Sequence, residues 1–504
     1  MSTIRRQSII SSSILYVGFA LGLLNTYLYA KGLPPAVYGL VSGMFVSIGT
    51  IIYYFANLGM PAFIVKFYPY YADHLSPREN DMLGLSLLMT LLGFVVAVGV
   101  GMLIRPLIFW MYKDHAAELV HYYYWIFPFG LGLTLYSVLE AYAWQLRESV
   151  ITNYLREVQF RLIATVLLVL VFAGLFSDFD LFIKIFSLSY FFLALALAII
   201  LVRKRQLHFV FSTSRVTRRL FRKVLPLIAF AWSGLLLLNL SMFFGQIVIA
   251  ALLPDGLTNV AVYTLAVNIG SLIQAPQRAI NAAAAAPLSK AWKDKDYGRI
   301  RRIYTRSSIN QLIFSLALFT LIWLNFTDGV LTFHLPDTYL AARHVFLFIG
   351  LYRIIDMGTG LNTQIIGASI YWRFDFITGM ILTALTLPMN YWLTLRHGAI
   401  GPAIADLITF TIYNAIRWAF LYRKFNMQPF DRRTIYALAL AVGVYLVVHP
   451  LFVHYHGLIW LFLRSVTYLL LFSAGVLLLR LSDDVAPVWN TVKKRLGFRN
   501  DATR

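Results

Sequence analysis

The chain has 504 residues, of which 60% are hydrophobic and only 13% charged, and its formal net charge is +21. A soluble protein carries about 25% charged residues, so this composition excludes a soluble globular chain and predicts an integral membrane protein. Lipid offers no partner for backbone amides, and the apolar runs are therefore expected to be helical. The absence of cysteine excludes disulfides and thiolate metal sites.

Apolar stretches of about 20 residues, the length that crosses about 30 Å of hydrocarbon, recur along the whole chain. The first follows Arg5 and Arg6 and is too long for the apolar region of a signal peptide, so we interpret it as a retained helix. We predict an all-α membrane protein with about fourteen spans. These spans are residues 8–30, 37–58, 83–104, 119–143, 157–176, 180–202, 224–253, 256–286, 309–331, 341–367, 372–394, 398–421, 434–453 and 457–481.

The 43 Lys and Arg residues are concentrated in alternate connecting segments. The opposite set of connections contains only Lys31, Arg105, Lys113, Arg343 and Arg396. Because basic residues collect in cytoplasmic loops, both chain ends are predicted to be cytoplasmic.

The most basic connection, residues 203–223, contains eight Lys or Arg and no carboxylate. Contact with anionic lipid or nucleic acid would fit this charge, but we favour a topology anchor between two halves of the chain, with no nucleic-acid partner. A second basic segment, residues 290–306, is predicted to be an amphipathic helix on the membrane surface. The predicted domains are a six-helix lobe at 1–202, a linker at 203–223, a second six-helix lobe at 224–421, an extra helix pair at 434–481 and a cytoplasmic tail at 482–504.

The eighth span carries a polar stripe in which Asn268, Ser271, Gln274, Arg278 and Asn281 recur at intervals of three or four residues. Such spacing places side chains on one face of a helix. A cation among amides fits a water-filled cavity that receives an anion. The alternative is that Arg278 extends toward the cytoplasmic interface.

Two other spans contain polar side chains. In the seventh span, Trp232, Asn239 and Gln246 share one face, which fits either a transport pathway or hydrogen bonds between helices. In the tenth span, Arg353 and Asp356 are three residues apart and are predicted to neutralise each other, a structural role that we favour over a proton relay.

Other motifs favour structure over catalysis. Gly18 and Gly22 have the GxxxG spacing that favours close helix packing. His449, His454 and His456 share one short predicted outer loop, where we do not favour a metal site. There is no phosphate-binding glycine loop and no constellation of catalytic residues, so we predict neither an ATP-driven pump, an enzyme nor a bound cofactor. Secondary transport is the remaining prediction.

The run 37–71 resembles the second span and following loop of polysaccharide flippases, which belong to the multidrug/oligosaccharidyl-lipid/polysaccharide exporter superfamily. The resemblance rests on the Tyr38-Gly39 opening, the turn 58–60 and the exit 64–67, where a basic residue such as Lys66 is usual. The chain length and the division into six, six and two spans are also similar to that family.

The resemblance implies a flippase that moves an undecaprenyl-pyrophosphate-linked oligosaccharide to the outer leaflet of the bacterial inner membrane by alternating access. It implies that Arg278 contacts the anion in the second lobe and that Lys66 does so near the cytoplasmic entrance. Spans thirteen and fourteen would offer a groove for the lipid tail, by analogy. The expected partners are this lipid-linked oligosaccharide, membrane lipids, and polysaccharide polymerase and export machinery. The candidate substrate-binding residues are Arg278, Gln274, Asn281, Asn268, Asn239, Gln246 and Lys66.

Two related functions remain as alternatives. A flippase of the lipid-linked peptidoglycan precursor would share the architecture and a cationic cavity. A cation-coupled multidrug exporter of the same superfamily commonly has a carboxylate in the first, seventh or eighth span. No Asp or Glu occurs in these three predicted spans, and the outer Asp255 comes between the last two. Because these carboxylates are absent, we favour either flippase over the multidrug exporter.

Overall fold

The computed structural model describes residues 3–175 and 179–484, and these residues form helices and turns without any strand. Within these two ranges, eleven helical stretches are long and apolar enough to cross a membrane. The prediction of an all-α, multi-pass fold is therefore confirmed, whereas the count of fourteen spans stays a prediction.

In the described residues, sixteen helices and a short helix at Ala117–His121 define the architecture, with short breaks included where a helix continues through them. The first eight are α1 (Thr3–Gly32), α2 (Pro35–Ala56), α3 (Met60–His74), α4 (Met82–Tyr112), α5 (Tyr123–Gln145), α6 (149–172), α7 (Phe179–Arg203) and α8 (Arg215–Leu252). The others are α9 (Gly256–Lys293), α10 (Tyr297–Thr332), α11 (Ala342–Gly358), α12 (Asn362–Gly367), α13 (Trp372–His397), α14 (Gly401–Phe425), α15 (Arg432–Phe452) and α16 (Leu458–Leu478).

Two compact units divide the chain. The first comprises residues 1–264 and 394–399, and the second comprises residues 265–393 and 400–504. The predicted lobe and domain boundaries remain a prediction. Most of the predicted tail, from residue 485 onward, lies outside the described residues.

The close packing predicted from Gly18 and Gly22 is confirmed. A Cβ atom at Gly18 would lie 2.8 Å from the carbonyl oxygen of Glu157, and one at Gly22 would lie 3.1 Å from Nε of Arg161. The glycines of α1 thus accommodate the backbone and an arginine side chain of α6. Asn25 reinforces the contact by donating a hydrogen bond of 2.8 Å to the Arg161 carbonyl.

A second seam of small residues joins α2 to the first part of α9, within the first unit. A Cβ atom at Gly39 would collide with the carbonyl oxygen of Leu257, and one at Gly43 would collide with Cγ1 of Val260. The backbone of α2 is a π-helix from Gly39 to Phe45, directly at this contact. Glycine is therefore required here by the close approach of two backbones.

The structure shows where helices begin and end within the two basic connections. About half of the segment 203–223 is helical, because α8 begins at Arg215 with Ser214 as its cap. The prediction of one surface helix over 290–306 is wrong, since α9 ends at Lys293 and a turn separates it from α10. The Asp296 side chain accepts a hydrogen bond from the Arg299 backbone and thereby starts the new helix.

Helices α15 and α16 pack against α10 in the second unit, around a core that includes Leu316, Tyr468 and Phe472. Two carboxylates fix the chain after α16, and the first, Asp483, forms an ion pair of 3.0 Å with Arg433. Asp484 accepts hydrogen bonds from Arg306 and from Asn310, the second at 2.7 Å. Although burial by itself would raise the pKa of Asp484, these hydrogen bonds lower it below the ordinary value.

Candidate functional site

Helix α9 is not a regular helix at the predicted polar stripe. Residues Leu272–Gln274 form a turn of 3-10 helix, and Pro276 lies in the first turn of the segment that follows. A 3-10 turn advances by about 120° per residue, so it changes the angular phase of the side chains on its two sides. Asn268 therefore belongs to one helical segment, while Arg278 and Asn281 belong to the next.

Arg278 is exposed, and within the described ranges it has neither a hydrogen bond nor an acidic partner. Gln274 and Asn281 are partly exposed near it in sequence, on either side of the proline. Asn268 is also partly exposed. The second unit thus presents an arginine without an acidic partner among the described residues, on an amide-containing helix that a 3-10 turn interrupts. The substrate-binding role of these residues stays a prediction.

Lys66 is an exposed side chain of α3, in the first unit. Its Nζ atom lies 5.9 Å from the ring centroid of Phe67, and among the described residues it forms no ion pair. Its contact with substrate stays a prediction.

The neighbouring Gln277 connects α9 to a buried polar network. Its Nε2 atom donates a hydrogen bond of 3.0 Å to Asp356 at the end of α11. The other oxygen of Asp356 accepts a hydrogen bond of 3.2 Å from Asn414 in α14. The side-chain oxygen of Asn414 accepts in turn from Thr359, at 2.9 Å, and from Asn362, at 2.8 Å. One carboxylate thus organises four helices of the second unit.

The network lies where the predicted tenth span is interrupted. Helix α11 ends at Gly358, the backbone turns at Gly360 with φ +66°, and α12 begins at Asn362. The negative end of a helix dipole disfavours a carboxylate in its last turn, so Asp356 requires donors from other helices. Discontinuous helices often form substrate or ion sites in transporters.

The predicted ion pair between Arg353 and Asp356 is wrong. Asp356 directs its carboxylate toward the amides of α9 and α14, and no ion pair with Arg353 is present in the described part of the chain. The Arg353 guanidinium instead lies 4.5 Å from the ring centroid of Tyr352. Arg353 is 7% exposed, and its Nε atom has no acceptor among the described residues.

Sequence reasoning missed Arg417, which is only 1% exposed. Its guanidinium forms an ion pair with Asp375 and hydrogen bonds with Thr363 and Thr378, the latter at 3.1 Å. The ring of Tyr413 covers it at 3.9 Å. The signal that could have found this site was a single arginine inside the twelfth span and an aspartate near the start of the eleventh.

A second missed arginine, Arg464 of α16, is buried and forms an ion pair with Asp328 of α10. It also donates to the carbonyl oxygens of Phe452 and Tyr455, both at 3.0 Å. The exposed His456 contacts the other oxygen of the same carboxylate at 2.6 Å. Residues 3–175 and 179–484 contain no cluster of His, Cys, Asp or Glu that could hold a metal ion.

The polar side chains of α8 serve helix contacts in two of three cases. Gln246 is buried, accepts a hydrogen bond from Ser47 and donates one of 3.2 Å to Thr264. Trp232 donates to the carbonyl oxygen of Tyr54 at 2.7 Å. Asn239 is partly exposed and donates within its own helix, to Leu235 at 2.8 Å. Interhelical hydrogen bonding therefore accounts for the first two, and a substrate role for Asn239 and Gln246 stays a prediction.

Comparison with known proteins gives one family and one fold. Residues 4–292 match the model of a family described as "Polysaccharide biosynthesis protein". No curated protein matches the chain in sequence.

Among the similar solved structures is a lipid II flippase, MurJ, in an inward closed conformation, with a TM-score of 0.70, 13% identity, and coverage of 94% of this chain and 99% of that one. An inward-facing multidrug resistance MATE family transporter of the MOP superfamily has a TM-score of 0.60, 17% identity, and coverage of 83% and 98%. A MATE structure in complex with MaL6 has a TM-score of 0.54, 16% identity, and coverage of 83% and 96%. At such identities the likeness shows the fold alone.

Proposed function

We propose that this chain, which belongs to the polysaccharide biosynthesis protein family, is a flippase for an undecaprenyl-pyrophosphate-linked oligosaccharide. It moves this lipid from the cytoplasmic to the outer leaflet of the bacterial inner membrane by alternating access, with both termini in the cytoplasm. The fold that the chain shares with a lipid II flippase and with MATE transporters supports a transporter rather than an enzyme.

The observation that carries the proposal is the unpaired Arg278. A charged side chain within a membrane span costs about 2.5–3.5 kcal/mol on insertion scales. Arg417 and Arg464 offset that cost with internal carboxylates, whereas Arg278 is exposed and has no such partner in the described chain. A pyrophosphate provides the missing anion, and charge-assisted hydrogen bonds to it are strong.

The other candidates complete the binding of the cargo. Amide donors and acceptors for sugar hydroxyls come from Gln274 and Asn281, and from Asn268 before the 3-10 turn. Asn239 of α8 supplies a further amide. Lys66, beyond the predicted cytoplasmic end of α2, attracts the pyrophosphate as it enters. The hydrocarbon tail stays in the bilayer throughout, so only the polar head crosses.

The membrane potential assists this direction of transport. It is negative inside, and moving one elementary charge through 100 mV is worth about 2.3 kcal/mol. An anionic cargo that moves outward therefore gains free energy without a bound coupling ion. Helices α1, α8 and α9 contain no Asp or Glu, which weighs against a cation-coupled drug exporter.

A flippase of the lipid-linked peptidoglycan precursor is the second candidate. The similarity of the fold to a lipid II flippase favours it, and a pyrophosphate-binding arginine would serve both cargoes equally. The family match favours a polysaccharide repeat unit.

Mass spectrometry of undecaprenyl-linked glycans, before and after depletion of the protein in its host, tests the proposal. Accumulation of one lipid-linked repeat unit is expected, and restoring the protein from a plasmid should remove it. Accumulation of the peptidoglycan precursor would assign the second function. An unchanged lipid pool, with new sensitivity of the cells to cationic drugs, would overturn both.

A further inference from the structure

An apolar cleft of about 410 Å³ lies in the first unit, between α2, α4, α8 and the start of α5. Apart from two tyrosine hydroxyls, its walls consist of apolar side chains. Both hydroxyls are already used, because Tyr112 donates to the carbonyl oxygen of Ile247 at 3.2 Å and Tyr123 donates to that of Gly101 at 2.7 Å. A cleft of this size without free polar groups selects a hydrocarbon ligand.

Ala97 and Gly101 are the small lining residues of α4. A Cβ atom at Gly101 would lie 2.7 Å from Phe127, so the walls of the cleft meet at that point. The lining residues of α4 extend from Ala97 to Tyr112, which corresponds to about 22 Å at 1.5 Å per residue. Half of the hydrocarbon core measures about 15 Å, so the cleft accommodates one extended chain that enters from the outer interface.

The cleft opens sideways toward lipid. Val100, Ile104 and Leu107 line it and are nevertheless exposed on the surface of α4. A chain can therefore enter from the bilayer without separating the helices.

A cation lies beside the cleft on α4, with lining residues both before and after it in the sequence. Arg105 is exposed next to Ile104, and its guanidinium lies 4.6 Å from the ring of Phe109 and 5.4 Å from the ring of Tyr124. It has no acidic partner in the part of the chain that the structure describes. The predicted topology places Arg105 on the outer side, where basic residues are few and the positive-inside rule does not explain it. A lipid phosphate at the interface supplies the complementary charge.

We propose that this cleft binds an anionic phospholipid of the outer leaflet, with one acyl chain between α2, α4, α5 and α8 and the phosphate on Arg105. From Arg105 inward to Ala97 the cleft extends about 12 Å at 1.5 Å per residue, which holds the first part of an acyl chain, whereas an undecaprenyl chain is much longer. The bound lipid fills the space between the four helices. This site is distinct from the residues proposed to bind the cargo, and its test does not depend on the transported glycan.

Photo-crosslinking of the purified full-length protein in vesicles tests the site. The probe is phosphatidylglycerol with a photoreactive group on its acyl chain, and the labelled peptides are located by mass spectrometry. Labelling is expected at cleft residues of α4 and α5. Arg105→Gln should reduce it about tenfold, the change expected for loss of a charge-assisted hydrogen bond, whereas Lys113→Gln, on the same outer segment, should leave it unchanged.

A second pair of variants probes the cleft itself. Ala97→Phe fills it and should remove the labelling, whereas Leu103→Phe, at an 80% exposed position of the same helix outside the cleft, should not. If Ala97→Phe fails to fold, Arg105→Gln still decides, because it changes only an exposed side chain. Labelling that is uniform over the lipid-facing helices, or equal for phosphatidylcholine and unaffected by Arg105→Gln, would overturn the proposal. Displacement of the probe by an equal concentration of polyprenyl phosphate would also overturn it.

Discussion

Two regions of the second unit place arginines inside the predicted spans in opposite environments. On α14 and α16, Arg417 and Arg464 are buried, each with a carboxylate and with further oxygen acceptors around it. On α9, Arg278 is exposed and has no partner within the described residues. The contrast separates arginines that hold helices together from an arginine that is available to a ligand.

The difference follows from desolvation. A buried ion needs good geometry and several hydrogen bonds to offset the loss of water, and removal of one partner leaves the other charge unpaired. An exposed arginine leaves no such charge behind, so its loss affects binding rather than folding. Variants at the two kinds of position should therefore produce different phenotypes.

The largest effect is expected for Arg464→Met. The variant leaves the carboxylate of Asp328 buried without its cation, which should lower the free energy of unfolding by about 3–5 kcal/mol. Size-exclusion chromatography of the detergent-solubilised protein after heating measures the loss. The double variant with Asp328→Asn should recover about half of it, because the unpaired charge is removed. A single variant as stable as the natural protein would contradict a structural role for the ion pair.

Arg278→Ala should abolish most transport and leave folding intact. Loss of hydrogen bonds to a charged group is worth about 1.5–3 kcal/mol, so we expect a decrease of about tenfold or more in transport. Lipid-linked glycans in a complemented depletion strain provide the measurement. Arg278→Lys, which keeps the charge, is the matched control and should retain substantial transport. Normal transport by the alanine variant would refute the cavity that we predict around this residue.

Asp356→Asn should have an intermediate effect on stability. The amide keeps one acceptor but turns a donor toward Gln277 or Asn414, which should cost about 1–2 kcal/mol. Thermal unfolding in detergent measures this, and Asp406→Asn, on a helix of the same unit, provides a comparison. Loss of transport at unchanged stability would instead assign Asp356 to the transport cycle. A partnered charge would then have a functional role, which contradicts the contrast drawn above between partnered and unpartnered charges.

The smallest effect is expected for His456→Gln. His456 contacts the same carboxylate as Arg464 but is 65% exposed on its side chain, and exposed pairs contribute about 0–1 kcal/mol. The unfolding midpoint should therefore stay close to that of the natural protein. A loss comparable to that of Arg464→Met would show that burial does not distinguish the two partners of Asp328.

The helices themselves were predictable because their signal is local. A run of apolar residues long enough to span the bilayer must be helical, and α4, α15 and α16 lie at three predicted spans. The ends of the helices were less predictable. Hydropathy detects only the apolar part of a helix, so it misses the polar turns that extend beyond the membrane. Helix α8 begins at Arg215, inside the basic segment that we predicted as a linker. The only local sequence signal for this start is its N-cap residue, Ser214, and a single serine is too common to predict a helix end.

The polar contacts were not predictable from spacing. Arg353 and Asp356 are close in sequence, but the carboxylate binds Gln277 and Asn414, which come from distant helices. Arg417 likewise binds Asp375 across 42 positions of the chain. Buried polar groups satisfy themselves with any helix that packs beside them, and a single sequence does not reveal the neighbours.

The seam between α2 and α9 restricts how this sequence can evolve. At Gly39 even one methyl group would collide with the carbonyl oxygen of Leu257. Any other residue at this position therefore requires one of the two helices to move. Around it, the large apolar side chains can exchange for one another at modest cost. Among natural relatives, Gly39 and Gly43 should therefore change more slowly than the bulky residues beside them. As the rest of α2 changes in sequence, these two glycines should be the positions at which distant relatives still agree.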